Sequence, residues 1–289
     1  MKTGIIGAGK VGFTLGKFFS QGGIKITGYC SRNPESARQA AAFTDSSFYD
    51  NLEKLIEDSD AIFITVPDRA ITEVYRQISR YEINDKYICH CSGAMSSGDA
   101  FPDIEKTGAH GFSIHPLFPI SSKYEAYREL SDAFFCLEGE AEYLPEFEDM
   151  LGELGCRTQR IEAKNKILYH AACAMASNLV CGLVQQSQDL LSVCGFSPEM
   201  AAEALKPLIS SNVKHILEDG AIAALTGPAE RCDVQTVKKH IASMPSEDTR
   251  ELYRLLSLKL ADMAETKNPQ RGYEPLREVI LQTEGRKQS

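Results

Sequence analysis

Lys166, His170, Ser177 and Asn178 stand within an otherwise apolar, small-residue run, "KILYHAACAMASN". On a helix turning about 100° per residue, Lys166, His170 and Ser177 fall within about 40° of one another, and Asn178 lies about 80° beyond His170. Polar groups among Ala, Cys, Met and Leu cost free energy unless they are bonded. One reading is a hydrogen-bond network between core helices. The other is a stripe facing a reaction cleft, where burial lowers a lysine or histidine pKa towards neutrality. On that reading Lys166 or His170 donates a proton, and Asn178 orients the substrate or the acid. A second cluster, "CHCSGAMSSG" at residues 89–98, offers metal and nucleophile readings. Zinc needs three or four convergent ligands. With His110 and His115 as further candidates, Cys89 and Cys91 share one face of a strand while His90 points the other way, so the three adjacent residues cannot all meet one metal without distortion of the strand. No metal site is expected. Ser92-Gly93 also lacks the G-x-S-x-G elbow of serine hydrolases. Ser92, Gly93 and Ala94 read instead as a wall, small because a ligand passes close. His90 is either a satisfied sheet histidine or a polar contact near that ligand.

The N-terminus carries Gly7-Ala8-Gly9-Lys10-Val11-Gly12, a G-x-G-x-x-G between a short apolar run and a helical pattern. Gly7 permits the tight turn, Gly9 lets a pyrophosphate approach the backbone, and Gly12 lets helix pack on strand. The helix N-terminus adds free N–H groups and partial positive charge. This context points to a dinucleotide. NAD sites place Asp or Glu on the ribose hydroxyls about 20 residues after the motif. Here the next strand ends in Tyr29-Cys30-Ser31-Arg32-Asn33, with no carboxylate. Ser31 and Arg32 suit a 2′-phosphate, so NADP is favoured over NAD. No flavin signature occurs, and neither a flavin nor coenzyme F420 is expected. Val66-Pro67-Asp68 ends a further strand, where ligands of parallel sheets lie.

These groups need a scaffold, and apolar runs alternating with helical patterns through the first half supply one. The expectation is an α/β fold: a parallel Rossmann sheet over residues 1–160, then an all-α domain over 161–289 for substrate binding and dimerisation. Residues 163–194 read as one long helix, and the tail "TEGRKQS" as disordered. The chain has 289 residues, 43% hydrophobic and 25% charged, with a net charge of -9. That charge argues against broad nucleic-acid or anionic-membrane surfaces. No apolar run is expected to reach the roughly 20 residues that span a bilayer. The nine cysteines, with no CxxC pair and no secretory signal, are expected to be free thiols in the cytoplasm.

"GIIGAGKVG", "VPD", "CHCSGA", "SIHPLFP", "KILYHAACAMASN" and "LTGPAERCD", in that order, resemble bacterial two-domain oxidoreductases. These have a Rossmann-like N-terminal domain and a C-terminal domain of unknown function 2520. They are distant relatives of 6-phosphogluconate dehydrogenase, pyrroline-5-carboxylate reductase and F420-dependent NADP reductase. The resemblance implies a helical second domain like that of 6-phosphogluconate dehydrogenase, and a homodimer. It also implies a helix bringing Lys and Asn, four apart, to the substrate. This chain has His at 170 where that pattern has Asn. It has Cys232 where glycine is expected, a strained choice if φ there is positive. The expected activity is hydride transfer between NADP and a small carbonyl or imine. His115 and Ser92 would bind substrate polar groups, Gly93 would adjoin the cofactor, and Arg231 would clamp a carboxylate. The rival reading is a non-catalytic NADP-binding regulator or scaffold.

Overall fold

Glycine, proline and Asn-capped breaks divide the first half into short elements of alternating type. In order these are β1 (Lys2–Ile6), α1 (Lys10–Gln21), β2 (Lys25–Cys30), α2 (Pro34–Thr44), β3 (Ser47–Phe48), α3 (Leu52–Glu57), β4 (Ala61–Ile64), α4 (Asp68–Ile78), β5 (Tyr87–His90), α5 (Ser97–Ala100), β6 (His110–Leu117), β7 (Phe134–Gly139), α6 (Leu144–Glu153), β8 (Arg157–Arg160) and α7 (Lys166–Ala176). The computed structural model describes residues 1–282, and the tail 283–289 lies outside the described residues. Local chemistry sets the helix starts. Asn33 accepts from the Glu35 and Ser36 N–H groups at 3.1 and 3.3 Å, with Pro34 at the first helical position of α2.

The strands form one eight-stranded sheet in the order β3-β2-β1-β4-β5-β6-β7-β8. All neighbours are parallel except β6 and β7, which run antiparallel. The parallel sheet expected from the alternation is found, with this as its one antiparallel pair among the described residues. No long helix joins β6 to β7, and a short 3-10 segment, Ala126–Asp132, bridges them. A crossover helix is what returns a chain to the same direction. One core holds Ile5, Phe19, Phe63, Cys89, Phe112 and Phe147, the other Ile6, Ile62, Ile64, Ile88 and Phe101. Alternate residues of the central strands thus enter opposite cores, so both faces of the sheet are covered. The chain order reverses between β1 and β4, and such a reversal opens a ligand crevice at the strands' carboxyl ends.

The chain divides into two compact units, Met1–Ser177 and Asn178–Ser289. The last strand ends at Arg160, and α7 falls in the first unit. Residues 163–194 are not one helix. The backbone leaves helical geometry at Ser177 (φ -125°, ψ -81°), and α8 (Asn178–Val193) follows. The sequence of this stretch lacks Gly and Pro at the break, which is why helical periodicity ran through it. A second expectation is also corrected. Within Ala163–Val193 a stretch of 18 residues reaches a mean hydropathy of 1.6, apolar and long enough by composition to cross a bilayer. Its scattered Lys, His, Gln and Asn are outweighed by Ala, Leu, Val and Cys.

The second unit adds α9 (Pro198–Asp219), α10 (Ala221–Ala224), α11 (Val234–Ser243), α12 (Glu247–Lys267) and α13 (Glu274–Leu281). Its core contains Val237, Ile241, Ala261, Ala264, Tyr273 and Leu276. The Asp233 side chain caps α11, accepting from the Thr236 N–H at 3.1 Å. Cys232, just before it, has φ 57°. The strain anticipated there is real, because a Cβ is disfavoured in the left-handed region.

Candidate functional site

The first part of the site is built from backbone. Gly7 has φ 108°, a conformation that a Cβ-bearing residue rarely adopts. Its N–H donates to the Cys30 carbonyl at 2.8 Å, and its own carbonyl accepts from Thr65 Oγ1 at 2.9 Å. Those two bonds tie the carboxyl ends of β1, β2 and β4 together. A Cβ on Gly12 would stand 2.3 Å from the Gly7 oxygen, so only glycine fits there. Gly9 is different, because a Cβ on it would meet nothing within 4 Å. It is the N-cap of α1, and no side chain caps that helix. First-turn N–H groups therefore face open space at the positive end of the helix dipole. Lys10, exposed, and Val11, half-buried, form this first turn, with Ala8 buried beneath. The cradle fits a dinucleotide pyrophosphate.

Ser31 and Arg32 follow directly on β2. Ser31 Oγ accepts from the Asn33 N–H at 3.4 Å. Arg32 is exposed and makes no ion pair among the described residues. Val66 and Pro67 close β4, and Asp68 opens α4.

The second part is built from side chains. His90 pairs with Ser113 in register, and β6 runs on beyond β5 to Leu117. Ser113 and His115, two apart, share a face and flank the 91–95 turn. Ser92 organises that turn. Its hydroxyl donates to Asp68 at 2.7 Å and accepts from the Ala94 and Met95 N–H groups at 3.2 and 3.1 Å. That hydroxyl is committed to the turn, and Asp68 is held by it. Fully buried His90 accepts the Ser92 N–H at Nδ1, 3.1 Å away. Its Nδ1 shapes the turn, while its Nε2 is buried without a hydrogen-bond partner among the described residues.

Lys166 opens α7 and is 1% exposed. Its Nζ donates to the Ser92 carbonyl at 2.9 Å and to Ser113 Oγ at 2.6 Å. One turn on, the Tyr169 hydroxyl lies 2.7 Å from His115 Nδ1. His170 is exposed, its ring centroid 6.3 Å from that of His115. Gly93 sits against both rings. A Cβ there would lie 2.7 Å from His170 Cδ2 and 2.9 Å from His115 Nε2. Two histidines therefore require the small residue at 93.

Burial pushes the His115 pKa down to about 4, with the Lys166 and His170 charges adding to it. Burial, then Lys166, takes His90 down to about 3. Both are neutral imidazoles at pH 7. Burial also lowers Lys166 and raises Tyr169. The site thus offers one fixed ammonium, hydrogen-bonded twice, beside neutral rings. Such a set can stabilise negative charge developing on a carbonyl oxygen.

Of the expected residues, the structure brings together Lys166, His170, His115, Ser92, Gly93 and Asp68. Asn178 opens α8, and exposed Arg231 lies in the turn where its N–H donates to the Gly227 carbonyl at 3.1 Å; both belong to the second unit. Tyr169 and Ser113 were missed. Each had a signal: Tyr169 is three residues from Lys166 on a helix, and Ser113 alternates with His115. Among the described residues no group of His, Cys, Asp and Glu could hold a metal.

Residues 2–92 match the family model described as NADP oxidoreductase, coenzyme F420-dependent, and residues 133–260 match a domain of unknown function, DUF2520. No curated protein matches the chain. Among solved structures, protein TM1727 from Thermotoga maritima is similar at 28% identity, over 92% of this chain and 99% of that one, with TM-score 0.73. A reductive aminase from Aspergillus terreus, in complex with NADPH and ethyl-5-oxohexanoate, shares the fold at 16% identity, over 96% and 98%, with TM-score 0.63. So does 1-pyrroline-5-carboxylate reductase from Streptococcus pyogenes, at 14% identity, over 92% and 98%, with TM-score 0.60. The chain is thus similar over its N-terminal part to the NADP oxidoreductases of that model and over its C-terminal part to the DUF2520 domains.

Proposed function

We propose that the chain is an NADP-dependent reductase acting on a carbonyl or imine of a small molecule. The observation that carries this is the buried Lys166 ammonium, fixed on Ser92 and Ser113 at the sheet edge that also holds the glycine cradle. Bound NADPH would supply a hydride to the substrate carbon. The chain's own residues would do the rest. Gly7 to Gly12 hold the pyrophosphate, and Ser31 with Arg32 hold the 2′-phosphate. Lys166 keeps the Ser92–Gly93 wall in place and offers a fixed positive charge. His170, exposed beside Gly93, hands a proton to the substrate oxygen or nitrogen as the carbon is reduced. The reductive aminase of like fold, solved with NADPH and an oxo ester, supports this substrate chemistry.

The second unit supports a homodimer. Its helices α8 and α9 expose Leu179, Leu183, Val193, Met200, Leu208 and Leu217, and apolar faces of this kind are covered by partners. A second copy in the cytoplasm is the partner we assign. Light scattering at micromolar concentration checks it, and a monomeric mass overturns it.

The activity is tested by NADPH oxidation against keto acids, aldehydes and cyclic imines, with NADH and reduced F420 as parallel hydride sources. Turnover with NADPH supports the reading. Tight NADPH binding without turnover on any substrate class favours a non-catalytic regulator instead. Full activity in both Lys166→Ala and His170→Ala removes the roles given to them.

A further inference from the structure

His115 faces the site through one nitrogen only. Its Nδ1 is engaged by the Tyr169 hydroxyl at 2.7 Å. Its Nε2 lies against Gly93 and makes no hydrogen bond among the described residues. Which nitrogen carries the proton decides whether His115 can donate to a substrate oxygen or only accept from it. The surroundings of Tyr169 make that choice. Among the described residues its hydroxyl makes no hydrogen bond besides the one to His115, the Cys136 and Cys173 thiols are the other polar groups that act on it, and the Lys166 ammonium stands over its ring, 5.7 Å from the centroid. Were the phenol to accept from an Nδ1–H, its own proton would be left to a sulfur, a weak acceptor. Were it to donate to Nδ1, both groups would make their strongest bond, and the sulfurs could still donate weakly to the oxygen.

We infer that Tyr169 is a positioning residue that donates its hydroxyl proton to His115 Nδ1, fixing the neutral tautomer with its proton on Nε2. The Nε2–H then points beside Gly93 as a hydrogen-bond donor to the substrate's carbonyl oxygen or imine nitrogen. This role rests on the reductase reading, but the tautomer does not depend on it. Tyr169 holds the ring plane as well as the proton. Its position in the first two turns of α7, one turn from buried Lys166, ties the donor to the same rigid element as the fixed charge.

The test is nitrogen NMR on full-length protein labelled in its histidine rings, with His115 assigned from the signals lost in His115→Gln. The expected spectrum at neutral pH shows His115 with a protonated Nε2 and a hydrogen-bonded, unprotonated Nδ1. In Tyr169→Phe the Nδ1 resonance moves towards that of an unbonded imidazole nitrogen, while the other histidine signals report an intact fold. In turnover assays the same variant loses about tenfold in kcat through lost orientation, with KM for NADPH unchanged. A wild-type Nδ1–H tautomer overturns the inference, as does a Tyr169→Phe variant whose Nδ1 signal stays in place. Either result reads the same whether or not a substrate is found, so failure of the reductase reading is separately visible.

Discussion

Two stretches of one sheet edge are made from different materials. The turn between β1 and α1 is backbone: a positive-φ glycine, two glycines with opposite reasons to be small, and an uncapped helix start. The edge at β5 and β6 is side chain: an ammonium, three histidines, two serines and a phenol. The first is written within six consecutive residues. The second joins groups far apart in the chain, since Lys166 bonds Ser92 and Ser113 across 74 and 53 positions, and His115 bonds Tyr169 across 54. A backbone site tolerates no added atoms but is indifferent to side-chain chemistry. A side-chain site tolerates no change of chemistry.

The largest effect should come from the side-chain half. Lys166→Met removes the fixed charge and should lower kcat/KM by about 100-fold or more, the usual cost of losing one such donor, while NADPH affinity by fluorescence titration stays within about twofold. Strong loss of NADPH binding would break the division between the two halves. Next is a pair at the cradle. Gly12→Ala presses a methyl on the Gly7 oxygen and should destabilise by about 1–3 kcal/mol in denaturant titration, losing NADPH binding with it. Gly9→Ala has open space around its methyl, so Tm should hold while NADPH Kd rises about tenfold, the methyl standing where the pyrophosphate approaches. An unchanged Kd would show that nothing binds over Gly9.

A smaller effect is expected at Arg32→Ala. Loss of one charge-assisted contact of about 1.5–3 kcal/mol should erase most of the preference for NADPH over NADH, read as the ratio of the two Kd values. The last is acid sensitivity. Unfolded His90 and His115 take up protons near the ordinary value of 6.5, whereas folded they resist to about 3 and about 4. Their contribution is whole above pH 6.5 and falls as pH drops through that window, because the unfolded chain then binds more protons. Denaturant midpoints between pH 7 and pH 4 should fall, and fall less in His115→Gln. An equal fall in that variant would assign the effect to other groups.

Much of the scaffold was legible. Runs such as "DAIFITVPD" lack polar alternation because both faces of β4 are buried, and composition alone carries that. The short strands β3 and β8 were not read, since "SF" and "RTQR" hold no apolar run and are strands only because a neighbour offers hydrogen bonds. The antiparallel β6–β7 pair was missed because direction depends on the connecting path, not on the strand's residues. At the site, Gly93 was expected to be small for a ligand's sake, and His115 with His170 give it a reason within the protein. Cys232 was legible as an oddity because glycine has a conformational freedom that cysteine lacks, and its φ of 57° bears that out.

By itself the sequence determined the glycine cradle, the alternation that makes the sheet, and the polar stripe that begins at Lys166. Each rests on short-range constraints: glycine sterics, period-two and period-3.6 patterning, and the cost of a polar group among apolar neighbours. Only the tertiary structure decided what the stripe touches. It turned Lys166 into the anchor of the Ser92 turn, gave His115 a phenol, and ended α7 at Ser177. Those contacts depend on where strands end relative to one another and on a helix that arrives more than fifty residues later, and no local pattern encodes that meeting.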